Sequence, residues 1–533
     1  ERQKITKVAP HILVTTPESL YIMATAEKSR QMLSTVRTII VDEIHAIADD
    51  KRGSHLSLTL ARIHSLIQRK ASRAPQYVGL SATVRPLELI AEFLSPRAKI
   101  VNVGHRRDMD LSIEVPDDEL SSVATSEMWE EIYDRITSHI LKTRTTLVFV
   151  NTRRMAERVS HALAKRLGEE AVLPHHGSLS RALRHKAETL LKNGNLKAVV
   201  ATASLELGID IVSVDLAIQI GTPRSIAVAL QRIGRSGHWV GAKPKGIFFP
   251  TTRDELIECS GLIYGIHTEQ LEHLEIPENA VDILAQQIVA ETAAETWDED
   301  ELFHLIRSAY PYRNLPRQEF NSIIRMLADG ITTIRARSGM YLHYDEINHR
   351  LKGRRGARLA AITSGGAIPE TGNYSVIAEP DGKVVGNVDE DFAVESMTGD
   401  IFLLGTTSWR VRHVGQGVVR VEDAQGAQPS VPFWLGEAPG RSLELSACVS
   451  DVRAKIAETS SQEEIFSFLK ELCGLDEAGA KQAVAYVQEG IAGLGALPSM
   501  NTVVAERFFD ESGGMQLVIH APFGSRVNRA WGL

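Results

Sequence analysis

The sequence predicts an α/β chain in which two consecutive parallel-sheet domains, the first incomplete, are followed by a small helix-and-hairpin domain and a mixed α+β region. Three observations carry this prediction. Short apolar strands alternate with helical stretches from residue 11 to about 104, and the alternation resumes from 146 to 249. Strands that are apolar throughout belong in a parallel sheet covered on both faces. Past residue 270 the alternation stops, three helical stretches follow one another, and residues 361–445 turn rich in Gly, Val and turn signals.

Taken in order, His11–Thr15, Thr38–Val41, Tyr77–Leu80 and Lys99–Val103 read as strands, with helices over Glu18–Glu27, His55–Arg69 and Pro86–Phe93. Residues 105–125 are polar and acidic and read as a linker. Strands Thr146–Val150, Ala171–His175, Ala198–Ala201, Val214–Ile220 and Gly246–Phe249 then alternate with helices Met155–Leu167, Leu183–Leu191 and Ile226–Arg232. Helices over 280–294, Glu299–Ala309 and Arg317–Ala328 precede a hairpin around Arg337-Ser338-Gly339, flanked by Ile334 and Tyr341, and together suggest a winged helix. The segment His349–Arg358 is the densest positive stretch of the chain. Strands, in the form of a small barrel, are expected over 361–445, helices over 449–492, and strands at Val503–Phe509 and Gln516–His520. The domain division that follows is 1–110, 111–268, 269–360 and 361–533.

Composition is that of a globular chain, 43% hydrophobic and 24% charged. A net charge of −8 argues against indiscriminate polyanion binding, so any nucleic-acid contact must come from local basic surface. The three cysteines, Cys259, Cys448 and Cys473, are far apart and include no C-x-x-C, which predicts neither disulfides nor a zinc site and fits a reducing cytoplasm. No apolar run is long enough to span a bilayer, so no membrane partner is expected.

Three motifs carry chemistry. Val41-Asp42-Glu43-Ile44-His45 ends an apolar strand with adjacent carboxylates, the usual means of holding Mg²⁺ and aiming a water at a nucleoside triphosphate. Asp42 is the candidate metal carboxylate and Glu43 the candidate for positioning the water. Ser81-Ala82-Thr83 follows the next strand, where a short hydroxyl turn serves equally as a local cap. In Gln231-Arg232-Ile233-Gly234-Arg235-Ser236-Gly237-His238, Arg235 is the candidate arginine finger, able to stabilise charge on a transferring phosphoryl group. Arg232 lies on the same helical face and is placed to brace the region of the carboxylate and hydroxyl motifs.

These motifs, in this order, resemble motifs II, III and VI of superfamily 2 helicases of the DEAD/DEAH-like group. In that resemblance His45 links the carboxylates to Ser81 and Thr83. His238 stands where many such proteins carry arginine, which puts direct phosphate contact there in doubt. Ala201–Asp210 resembles motif V, with Thr202 suited to a backbone phosphate, Gly208 permitting a tight turn and Asp210 reaching the nucleotide or the finger arginine. Thr15-Thr16-Pro17-Glu18 looks like motif Ib and Val150–Arg154 like motif IV. Thr16, Asn151, Arg153 and His176 are the corresponding nucleic-acid candidates, each equally able to act as a cap or turn. Two such halves resemble the tandem RecA-like core of a helicase motor, whose acidic pair and finger arginine would converge on a shared triphosphate.

With Glu395–Gly405 and Pro522–Asn528 added, the layout looks like Lhr, the large helicase-related family. The resemblance implies an ATP- and Mg²⁺-dependent 3′→5′ translocase on single-stranded DNA that unwinds DNA or RNA:DNA duplexes, with a role in DNA repair. It also implies a C-terminal domain that clasps the tracking strand. There Trp409, between arginines, either stacks on a base or is buried with the arginines on the outer face. Arg354 and Arg355 either hold phosphates or sit in a solvated linker. The chain begins at Glu1 without an initiator Met and contains no G-x-x-x-x-G-K-[ST] phosphate loop. It is therefore expected to be a fragment truncated at both ends and a poor ATPase alone. The competing readings are a nucleic-acid-binding module and an RNA helicase of the DEAD-box kind.

Overall fold

The computed structural model describes residues 8–71, 73–82, 84–102, 108–206, 214–237, 243–332, 337–367, 373–389, 392–393, 396–405, 407–415, 417–427, 440–509 and 514–532. The chain forms two compact units, each assembled from two separated stretches: residues 1–103 with 273–370, and 104–272 with 371–533.

In the first unit, Thr38–Val41 pairs in parallel with Gln76–Gly79, Thr38 opposite Gln76 and Val41 opposite Gly79. The crossover between them is the 21-residue helix Lys51–Ala71. Two expected strands are not formed. His11–Thr15 has no ladder partner among the described residues, and Ile12 and Val14 are exposed. Residues 99–102 run as irregular chain, and Val103 lies outside the described residues.

The second stretch of this unit contributes helices Val281–Ala294, Glu299–Arg307 and Arg317–Asp329 and a three-stranded antiparallel sheet. That sheet runs Leu342–Asp345, Arg350–Gly353, Trp297–Asp298. The expected hairpin differs: Arg337 and Ser338 are strand, paired antiparallel with Ile331–Thr332, and Ile334 lies outside the described residues. Four of the ten residues of the basic segment His349–Arg358 are strand, Arg350–Gly353, with Leu351 fully buried.

One apolar core joins both stretches, with Tyr21 and Leu58 packed among Ile283, Leu284, Phe320 and Leu342. A buried polar cluster reinforces it. Arg62 Nε lies 2.5 Å and Arg30 Nη1 3.1 Å from Glu291 Oε2, and Arg62 Nη1 donates to Gln287 Oε1 at 2.8 Å. Burial alone would raise the Glu291 carboxyl, but the two guanidinium groups outweigh it and hold it below the usual carboxylate range.

The second unit is built on a six-stranded parallel sheet, in the order Asp110–Ile113, Lys245–Phe249, Leu216–Ile220, Thr146–Phe149, Ala198–Ala201, Val172–His175. Three of its four inner strands, Leu216–Ile220, Thr146–Phe149 and Ala198–Ala201, are buried at every position, as apolar strands between two helical layers must be. The edge strand Asp110–Ile113 occupies the stretch expected to be a linker. Helices Ser126–Leu141 and Arg253–His267 were also not anticipated.

Residues 373–423 form a five-stranded open sheet rather than a barrel, ordered Lys383–Asp389, Asn373–Ala378, Val418–Asp423, Thr407–Gly415, Ile401–Leu404. Helices Leu443–Glu458, Gln462–Glu471 and Glu477–Leu494 complete the core around Arg253–His267. Gly261 allows the close crossing with Leu443–Glu458: a Cβ there would lie 2.9 Å from the Val449 backbone nitrogen. The hairpin Val504–Phe509/Met515–His520 forms as expected. Among the described residues no helix is long and apolar enough to cross a membrane.

Candidate ATP site and nucleic-acid interface

In the first unit the parallel ladder continues one step beyond the strands. Leu80 N donates to Val41 O at 2.9 Å and Ile44 N to Leu80 O at 3.0 Å, which brings the turn at Asp42-Glu43 beside the turn at Ser81. Asp42 is exposed, and its Oδ1 accepts from Glu43 N at 3.0 Å. Glu43 stands at φ 47°, a left-handed conformation that costs a non-glycine residue roughly 1–2 kcal/mol. Such conformations persist where the surroundings over-determine them, as they do at functional sites.

His45 opens the short helix His45–Ala48 and is buried. Its Nδ1 accepts from Ala82 N at 3.1 Å and lies 3.2 Å from Ser81 Oγ. An acceptor Nδ1 puts the ring proton of the neutral imidazole on Nε2, which lies 3.7 Å from Glu43 Oε2. Burial lowers the His45 pKa although Glu43, Asp49 and Asp42 oppose it, so the ring is neutral at pH 7. His45 thus lies between Glu43 and Ser81, while Thr83 lies outside the described residues. Thr16 caps helix Pro17–Thr25, its Oγ1 accepting from Ser19 N at 3.3 Å. An exposed Asp42 suits Mg²⁺, an ion that keeps several waters and takes one or two carboxylates.

The finger candidate sits in the second unit at the end of helix Ile226–Ile233. Its two arginines differ sharply. Arg232 is buried, with Nε 2.7 Å from Glu206 Oε1, Nη1 2.6 Å from Gln219 Oε1 and 3.3 Å from Asn151 Oδ1. Burial lowers its pKa, and the partnership with Glu206 counters the fall. This corrects the expected bracing of other motifs, because Arg232 is spent inside its own unit. Arg235, three residues on, is only partly buried; among the described residues its guanidinium has no ion-pair partner and its buried Nε no acceptor. Gly208, Asp210 and His238 lie outside the described residues.

Several nucleic-acid candidates prove to be structural. Asn151 Nδ2 donates to Thr222 O at 2.7 Å while its Oδ1 accepts from Arg232, which fixes the orientation of the amide. His176 is fully buried, its Nε2 2.7 Å from Glu157 Oε1, and Gly405 N donates to the same oxygen at 2.8 Å. A side chain without surface cannot meet a strand; the His176 loop instead docks the five-stranded sheet, with Asn387 N donating to Ser178 O at 2.6 Å. Arg153 Nη1 donates to Ser178 Oγ at 2.7 Å. Arg354 Nε donates to Leu342 O at 2.5 Å while the residue stays exposed. Arg355 is exposed, as is part of Thr202 at its strand end. Trp409 is half-buried against the sheet core and donates from Nε1 to Leu404 O at 3.2 Å, leaving part of its ring accessible. Sequence reasoning missed Glu206, Gln219 and Glu157; an acidic residue between Leu205 and Leu207 was the available signal for a buried partner.

Comparison with known proteins agrees with this arrangement. Residues 1–90 match the DEAD/DEAH box helicase family, 127–240 the helicase conserved C-terminal domain, and 497–533 the DEAD/H associated family. Residues 264–431 match the winged helix domain of large helicase-related protein. The chain belongs to the Lhr family. It is 37% identical to the Lhr helicase/probable uracil glycosylase of Mycolicibacterium smegmatis, covering 99% of this chain and 37% of that protein. It is 36% identical to the ATP-dependent helicase Lhr-Core of Methanothermobacter thermautotrophicus, covering 99% of this chain and 62% of that one. The chain therefore spans between about a third and two thirds of these Lhr relatives. The solved structure of Mycobacterium smegmatis helicase Lhr bound to ssDNA and AMP-PNP superposes with a TM-score of 0.79 at 36% identity, over 99% of this chain and 64% of that one.

Proposed function

We propose that this Lhr chain forms the motor of an ATP-dependent helicase that translocates 3′→5′ on single-stranded DNA and unwinds DNA or RNA:DNA duplexes, with a role in DNA repair in the cytoplasm. What chiefly supports the reading is Arg235, a partly buried guanidinium without an ion-pair partner among the described residues, beside an Arg232 that is committed to structure. An arginine kept in this state suits a group that arrives with negative charge, and a γ-phosphoryl passing through its transition state is such a group.

In this reading Glu43 orients the attacking water and accepts its proton, and Arg235 offsets charge on the equatorial oxygens. Asp42 would hold Mg²⁺, which neutralises phosphate charge when bound. The relay from Glu43 through His45 Nε2–H and Nδ1 to Ser81 and Ala82 N–H reports carboxylate position to the strand-binding side. Thr16, Thr202, Arg354, Arg355 and Trp409 are the proposed contacts with nucleic acid, each with surface to offer, and the proposed domains are 1–110, 111–268, 269–360 and 361–533.

The test is ATP turnover by the full-length protein with and without single-stranded DNA, and strand displacement on 3′- and 5′-tailed duplexes. Arg235→Ala should lower stimulated turnover by about 10³-fold and leave nucleotide binding nearly intact. Unchanged turnover in that variant would remove the basis of the motor reading, and strand binding without any ATP turnover would favour the binding-module alternative.

A further inference from the structure

The helix that carries the finger is unusually well secured at its far end. Ser225 caps helix Ile226–Ile233 by accepting from Val228 N at 3.3 Å. The two amides before Val228 are taken by a residue 45 positions and more away: Glu272 Oε1 accepts from Ile226 N at 2.5 Å and Oε2 from Ala227 N at 2.9 Å. Ser442 Oγ donates to the same Glu272 Oε1 at 3.0 Å, and Ser442 N to Arg224 O at 3.0 Å. Ser442 is itself the N-cap of helix Leu443–Glu458. A carboxylate straddling a helix N-terminus satisfies its orphan donors and opposes the positive end of the helix dipole.

The other end is fixed as firmly. Arg232, in the last turn, anchors the helix to Glu206 and Gln219. Ser236 Oγ donates toward Ile233 O at 2.8 Å and Lys245 O at 3.0 Å and accepts from Lys245 N at 2.9 Å, fastening the exit turn to strand Lys245–Phe249. Arg235 lies between these fastenings. Two turns of helix form a short lever: rotation or fraying at Ile226 carries through to the turn that aims the guanidinium.

We infer that Glu272 is a positioning residue for Arg235, acting through its two bonds to the first amides of helix Ile226–Ile233. The inference rests on the assignment of Arg235 as the finger. Glu272 touches no reacting group; it sets the register and tilt of the helix that does the aiming.

The experiment uses the full-length protein under single-turnover conditions with single-stranded DNA. Glu272→Ala should lower the rate about tenfold with the ATP concentration for half-maximal rate changed less than twofold, in keeping with the loss of a helix cap. Glu272→Gln, which keeps one acceptor oxygen, should recover part of the rate, and Ser442→Ala, which leaves both amide bonds, should stay within about twofold of wild type. In an Arg235→Ala background Glu272→Ala should have no further effect. An equal loss in both backgrounds, or an unchanged rate in Glu272→Ala, overturns the inference while leaving Arg235 as finger. An unaltered rate in Arg235→Ala alone overturns the finger assignment itself. Amide exchange over 226–237 faster in Glu272→Ala than in wild type supports the lever; unchanged exchange refutes it.

Discussion

His55 lies buried against Tyr21, ring centroids 4.8 Å apart, with Nε2 facing no partner among the described residues. Burial pushes its imidazole down to about 4, further than the Glu18 charge can restore. A base whose folded pKa is depressed contributes stability that is complete above its unfolded value near 6.5 and is lost as pH falls toward the folded one. Between those limits the first unit should lose about 3 kcal/mol, at ~1.4 kcal/mol per pKa unit. Urea midpoints at pH 7 and pH 4.5 test this: the drop should be clearly smaller in His55→Gln, and an equal drop would exclude His55 as the source. Arg232 supplies a second test at the same scale. Arg232→Ala leaves Glu206 in a buried site without its counter-ion, and breaking a buried pair costs roughly 3–5 kcal/mol. Its thermal midpoint should fall accordingly, whereas Arg235→Ala should leave the midpoint within a degree or two.

Among elements, helix Val281–Ala294 decides how the winged region is held. It presents Gln287 and Glu291 to Arg30 and Arg62 of the helices contributed by the other stretch of the unit. Glu291→Leu would leave the buried Arg62 without its carboxylate, Arg30 keeping Glu295, and should destabilise by about 3–5 kcal/mol. Limited proteolysis should then cut between residues 273 and 281 before it cuts the second unit; uniform resistance would show that apolar packing alone suffices. The same elements mark where sequence was informative. Strands Thr146–Phe149 and Ala198–Ala201 were legible because parallel strands are apolar throughout. Edge strand Asp110–Ile113 was not, because an edge strand carries polar side chains and reads as linker. The roles proposed for Asp42, Glu43 and Arg235 rest on residue type and order. The fates of His176, Asn151 and Arg232 were not legible, since their partners Glu157, Thr222 and Glu206 are set by tertiary folding, and a polar residue at a strand end looks the same whether it faces a phosphate or a carboxylate.

Considered whole, the molecule carries a net charge of −8, so the affinity for single-stranded DNA should arise from a few placed contacts. The logarithm of the binding constant should fall with the logarithm of salt concentration by about 0.7 per phosphate contact, and Arg355→Ala should reduce that slope by one such step. Trp409→Ala should instead weaken binding by ~1–3 kcal/mol with the slope unchanged, as expected for loss of a stacked base. An altered slope in the Trp409 variant would mean that the side chain acts by shaping basic surface.

The interleaving of the two units also bears on biosynthesis. Residues 104–272 leave the ribosome before the first unit receives the helices that cover Tyr21 and Leu58. At roughly 5–20 residues per second, that interval lasts many seconds. During it the nascent N-terminal helices have apolar faces and two arginines awaiting a glutamate not yet translated. Chaperone capture should therefore be strongest on ribosome-bound chains ending near residue 270 and should subside once Val281–Ala294 has emerged, a profile that ribosome-arrested intermediates of defined length would reveal.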